Sequence, residues 1–129
     1  MKILIGDDHY QVREGVEQII RTLPDIERID EVSDGYELLS KVTNNQYDIV
    51  ILDICLPGIS GLDILNKMRR IKNKTNTLLY SFDPQSQQAI FALRNGATGF
   101  LSNNSVFEEM TKAIQMIRKG GRYVSTEIA

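Results

Sequence analysis

At 129 residues the chain has the length of one domain, with room for a single hydrophobic core. Its 15 Lys and Arg and 17 Asp and Glu are interspersed and sum to −2, which provides no field to gather nucleic acid or anionic lipid directly. The one cysteine, Cys55, excludes an intrachain disulfide and suits a reducing compartment, so a cytoplasmic protein is expected. The start reaches Asp7-Asp8 too soon for a signal-peptide core, and no apolar run approaches a membrane span.

Short apolar runs at Ile3 to Ile5, Ile29 to Val32, Ile49 to Ile54, Thr77 to Ser81 and Gly99 to Leu101 predict five strands. Helical spacing separates them: Val12, Val16, Ile19, Ile20 and Leu23, then Leu38, Leu39 and Val42, then Leu62, Leu65 and Met68. Two more helices are predicted, one carrying Ala89, Ile90, Ala92 and Leu93, the other running from Val106 to Ile117 before Gly120-Gly121. Strands alternating with single helices favour a parallel sheet covered on both faces, because right-handed crossovers pack back onto the sheet. The expected class is α/β, a three-layer sandwich, with the run Tyr47 to Leu56 as a central strand and the tail from Gly120 as the one candidate boundary.

Ligands in such sheets gather beyond the carboxyl ends of the strands. Those ends carry Gly6-Asp7-Asp8, Asp53, Ser81 and Ser102-Asn103. Like charges a few ångströms apart repel by about 4 kcal/mol per pair at an effective dielectric near 20, a cost that a divalent cation offsets. Oxygen donors without a His/Cys grouping suit Mg²⁺. The ion would leave an Asp53 oxygen to attack phosphorus in line, and Ser81 could hydrogen-bond another phosphoryl oxygen. Asp53 is hard to read as structural, since a carboxylate closing a strand of Ile, Val and Leu is costly unless paired or placed in a crevice. Asp7-Asp8 alone would be ordinary loop charges, Pro57-Gly58 and Gly61 read as loop-shaping residues, and His9 reads as a surface or capping residue. The Cys55 thiol is expected to pack in the core, its backbone carbonyl being placed to join the metal.

The stretches Ile3-Leu4-Ile5-Gly6-Asp7-Asp8-His9, Asp53 to Leu62, Ser81 and Gly96-Ala97-Thr98-Gly99-Phe100-Leu101 together resemble CheY-like receiver domains, most closely the NarL/FixJ (LuxR-type) response regulators. The resemblance runs from Met1 to about Lys119. It implies a flavodoxin-like five-stranded sheet of order 2-1-3-4-5 with five helices. It also implies a two-component switch: Asp53 the phospho-acceptor, Asp7, Asp8, Asp53 and the Cys55 carbonyl the Mg²⁺ ligands, Ser81 the switch hydroxyl and Phe100 the switch aromatic. A sensor histidine kinase would supply the phosphoryl group. Homodimerisation is possible, and DNA would be bound only through a C-terminal helix-turn-helix domain absent from this chain, residues 120–129 beginning the linker to it. Such a domain is a signalling module carrying a transient aspartyl-phosphate, not an enzyme.

One position departs from the family. The lysine expected three residues past the aromatic is Asn103, and no Lys or Arg lies between Arg94 and Lys112. An amide donates a hydrogen bond without the charge assistance that makes ammonium–phosphate contacts about twice as strong. The alternative expectation is therefore an atypical receiver whose partner binding or dimerisation no longer depends on phosphate. A phosphatase with an aspartyl nucleophile is disfavoured, because its general acid would stand where Cys55 is. A flavodoxin-like cofactor protein is disfavoured too, since Asp7-Asp8 would repel a bare phosphate.

Overall fold

Alternating β-branched and leucine side chains decide the strands. In Ile49–Asp53 every residue is buried, with Ile49 and Ile51 joining one apolar cluster and Val50 and Leu52 the other. A strand with both faces in apolar surroundings belongs in the middle of a parallel sheet, each fully buried Ile or Leu contributing about 1.5–3 kcal/mol. The structure, a computed structural model, describes residues 1–82, 86–102 and 105–125. Their order is β1 (Lys2–Gly6), α1 (Tyr10–Ile20), β2 (Arg28–Val32), α2 (Gly35–Asn44), β3 (Ile49–Asp53), α3 (Gly61–Arg70), β4 (Asn76–Ser81), α4 (Ser86–Arg94), β5 (Gly99–Ser102), α5 (Ser105–Glu108), α6 (Met110–Arg118) and β6 (Tyr123–Val124).

All strand pairs are parallel, in the order β2-β1-β3-β4-β5-β6. Leu38 and Val42 of α2, Ile64, Leu65 and Met68 of α3, and Ala89 and Ala92 of α4 cover one face. Val16 and Ile20 of α1, Val106 of α5, and Met110, Ala113, Ile114 and Ile117 of α6 cover the other. The three-layer sandwich and the order 2-1-3-4-5 are as expected.

The element count differs in two places. The last predicted helix is interrupted at Glu109, whose φ −112 and ψ 5 leave the helical range, although its N–H still donates to the Ser105 carbonyl at 2.8 Å. Beyond Gly120, Tyr123–Val124 pair with Gly99 and Phe100 at the sheet edge. Ser125 extends that pairing: its N–H donates to the Phe100 carbonyl and its Oγ accepts from the Ser102 N–H, each at 2.9 Å. Backbone pairing thus continues into the segment expected to begin a linker. Ile90 also differs from the predicted apolar face of α4; Ala89 and Ala92 make that face, and Ile90 is exposed.

Candidate functional site

The chain reverses its direction of travel across the sheet between β1 and β3, and sheets of this kind bind ligands beyond the carboxyl ends of the strands at that point. The register fixes what faces it. Ile3 lies level with Ile49 and Ile5 with Ile51, so one further step of the alternation sets Asp7 beside Asp53 on the same face. Asp53 in turn lies level with Tyr80 on β4.

Asp7 is fully buried and held from several directions. Its backbone N–H donates to the Val32 carbonyl at 3.1 Å, and its carbonyl accepts from Arg13 Nη1 at 2.6 Å. Its Oδ1 accepts from the His9 backbone N–H at 2.7 Å and lies 2.9 Å from His9 Nδ1, while the Tyr80 hydroxyl donates to its Oδ2. Asp53 is nearly buried, with Oδ1 accepting from the Cys55 N–H at 3.0 Å. Asp8 sits at the open rim. Ligand atoms from Asp7, Asp8, His9 and Asp53 all lie within 4.8 Å of one another.

Burial, then the neighbouring Asp7 charge, push the Asp53 carboxyl above its usual range against the opposing pull of the Cys55 N–H. His9 is raised by its hydrogen bond to Asp7 and by the acidic neighbours. Burial and then Asp7 drive the Tyr80 phenol far up, so that it remains a neutral donor. Three carboxylates crowded together, with the proton affinity of Asp53 raised, are a poor arrangement for a bare site and a suitable one for a small divalent cation, and the oxygens of Asp7, Asp8 and Asp53 fit a hard ion.

Asp7, Asp8 and Asp53 therefore meet as the sequence implied, while Cys55 differs: its side chain is exposed rather than packed in the core, because the chain has left β3 and begun to turn. Its backbone N–H contacts Asp53. Ser81 is buried at the end of β4, level with Ser102, and shares its face of the sheet with Leu79 and Phe100 beneath α4. Phe100 is fully buried. Asn103 lies outside the described residues. Gly58 adopts φ +81 in the loop after β3, and a Cβ on Gly61 would come within 2.8 Å of Ile54 Cα and 3.0 Å of the Asp53 carbonyl, so both glycines shape the rim as expected.

Sequence reasoning missed two residues. His9 occupies the N-cap position of α1 but makes no capping bond with its side chain, which turns to the carboxylates. Tyr80 shares with Leu78 the face that carries Ile49, Ile51 and Asp53, a placement set by the register of β4 on β3.

Comparison with known proteins identifies the family. Residues 3–115 match the family described as the response regulator receiver domain. The chain belongs to that family. Oxygen regulatory protein NreC of Staphylococcus carnosus is 33% identical over 129 residues, 99% of this chain and 59% of that protein. The nitrate/nitrite response regulator NarL of Escherichia coli is 31% identical over 95% of this chain and 57% of its own length. A LuxR-family two-component response regulator from Aurantimonas superimposes with a TM-score of 0.91 at 30% identity, covering 98% of this chain and 91% of that one. This receiver domain thus falls in the NarL/LuxR group, and it spans little more than half the length of the curated relatives it matches.

Proposed function

We propose that this receiver domain accepts a phosphoryl group on Asp53 in a Mg²⁺-dependent reaction and transmits the change through Ser81 and Phe100. The observation that carries the proposal is the meeting of Asp7, Asp8 and Asp53, two of them buried, at the switch point of the sheet. Mg²⁺, when bound, would neutralise phosphate oxygens beside the acidic cluster. Asp7 and Asp8 would hold it together with Asp53 and the Cys55 carbonyl. The Cys55 N–H fixes Asp53 Oδ1 and so orients the carboxylate. A carboxylate oxygen then attacks phosphorus; the new P–O bond forms as the bond to the donor breaks, and the donor leaves with that electron pair.

Ser81, just beyond the level of Asp53, would hydrogen-bond the transferred group. Its movement would reach α4 by way of Phe100, which packs in one cluster with Ala89 and Ala92. The donor would be a sensor histidine kinase, and the output transcriptional, through a DNA-binding domain C-terminal to this one, as the NarL/LuxR relatives suggest. Transfer of label from acetyl phosphate tests the chemistry: labelling in Mg²⁺ that EDTA abolishes supports it, and labelling indifferent to EDTA contradicts the metal requirement.

Asn103 favours a second reading, a receiver that binds partners or itself without phosphate. Sedimentation of wild type and Asp53→Asn with and without acetyl phosphate separates the two. Association that appears only in phosphorylated wild type supports the switch, and equal association in every sample supports the second reading.

A further inference from the structure

At the opposite, amino-terminal end of β4 and β5, a cavity of about 500 Å³ opens between the carboxyl ends of α3 and α4. Its size falls within the ~300–1,000 Å³ typical of small-molecule sites. Arg69, Lys72, Lys74 and Arg94 line it, and no acidic residue does, although the whole chain carries a net charge of −2. Among the described residues none of these four cations is in an ion pair.

Basic residues in the last turn of a helix offset its dipole, and Arg69 and Arg94 have that ordinary role. It does not extend to Lys72 and Lys74, which follow α3 in the chain. Lys72 takes the left-handed position that ends α3, where the Asn73 N–H donates to the Met68 carbonyl at 2.9 Å, and it lines the cavity. A second, independent observation lies in the wall. Thr77 is 2% exposed, lines the cavity from the face of β4 that carries Leu79, and its Oγ1 has no hydrogen-bond partner. A buried hydroxyl left unpaired in a native fold calls for a missing partner. Leu65 and Met68, both nearly buried, form the apolar floor beside it.

We infer that this cavity is a second ligand site, separate from the acidic cluster, that takes a phosphorylated small molecule of mononucleotide size. The phosphate meets Lys72, Lys74, Arg69 and Arg94, and the organic part lies over the floor that Leu65, Met68 and Thr77 form.

Calorimetric titration of the chain with AMP, pyrophosphate and adenosine, in EDTA so that the acidic cluster stays free of metal, tests this. AMP and pyrophosphate should each bind saturably at one site, adenosine at least tenfold more weakly than AMP. Lys72→Gln combined with Arg94→Gln should weaken AMP at least tenfold, and Thr77→Val severalfold, in variants whose melting shows them folded. No saturable binding of AMP at millimolar concentration overturns the inference, as does binding of adenosine equal to that of AMP. AMP binding that survives the double substitution, or titration by short duplex DNA in preference to the small probes, overturns it as well.

Discussion

Replacing Asp53 with Asn removes one charge from the acidic cluster while keeping its shape, since Asn retains an oxygen to accept the Cys55 N–H. Asp7 and Asp53 are both buried and their ligand atoms lie within 4.8 Å, a separation at which two like charges repel by about 3.5 kcal/mol at an effective dielectric near 20. His9 Nδ1, 3.8 Å from Asp53 Oδ2 and exposed to screening, offsets part of this. Asp53→Asn should therefore stabilise the metal-free domain at pH 7 by about 2 kcal/mol, raising Tm by roughly 6–10 °C for a chain of this size. The pH dependence has a definite sign. Burial raises the Asp53 pKa in the folded state, so its favourable contribution exists at low pH and is lost as pH rises through the folded pKa. The advantage of the variant should accordingly be complete at neutral pH and shrink on acidification through the carboxylate range. Mg²⁺ at ten times its Kd should stabilise wild type by about 1.4 kcal/mol and the variant by less. Thermal melts followed by circular dichroism in EDTA and in Mg²⁺ decide the matter. A variant no more stable than wild type in EDTA, or Mg²⁺ shifts equal in both proteins, would refute the reasoning.

Three further substitutions probe the surroundings of the site. Tyr80→Phe deprives the buried Asp7 carboxylate of a donor and should lower stability by about 1.5–3 kcal/mol, read by urea denaturation; an unchanged midpoint would mean that the Tyr80 bond contributes nothing. Gly61→Ala forces a Cβ against the backbone of Ile54 and Asp53 and should destabilise by about 1–3 kcal/mol in the same assay, whereas a stabilised variant would show that the loop after β3 can yield. Phe100→Ala empties a fully buried position beneath α4 and should lower stability by about 3–5 kcal/mol, with the largest amide shifts in α4 and β5; shifts centred on α1 would contradict its placement.

The fold was legible because its strands are short, dense in Ile, Leu and Val, and separated by helical periodicity. The run Tyr47 to Leu56 announced a central strand, and the strand ends pointed to Asp7, Asp8 and Asp53. Less could be read where a role depends on register or on a one-residue change in backbone. The two-residue strand Tyr123–Val124 has no periodicity of its own and exists because β5 offers an open edge. Glu109 interrupts an apolar pattern that continues through it. Cys55 follows an apolar run yet is exposed, since the chain has already left the sheet. The partnership of Tyr80 with Asp7 joins residues 73 positions apart, and it follows from strand pairing that local sequence does not encode.

The most direct test of phosphoryl acceptance is intact-mass spectrometry of the chain after incubation with Mg²⁺ and acetyl phosphate, alongside Asp53→Asn and Asn103→Lys. One phosphoryl adduct on wild type, absent from Asp53→Asn and increased in Asn103→Lys, is the predicted result. An adduct that persists in Asp53→Asn, or wild type and Asn103→Lys that both stay unmodified, would contradict the assignment of Asp53 as the acceptor.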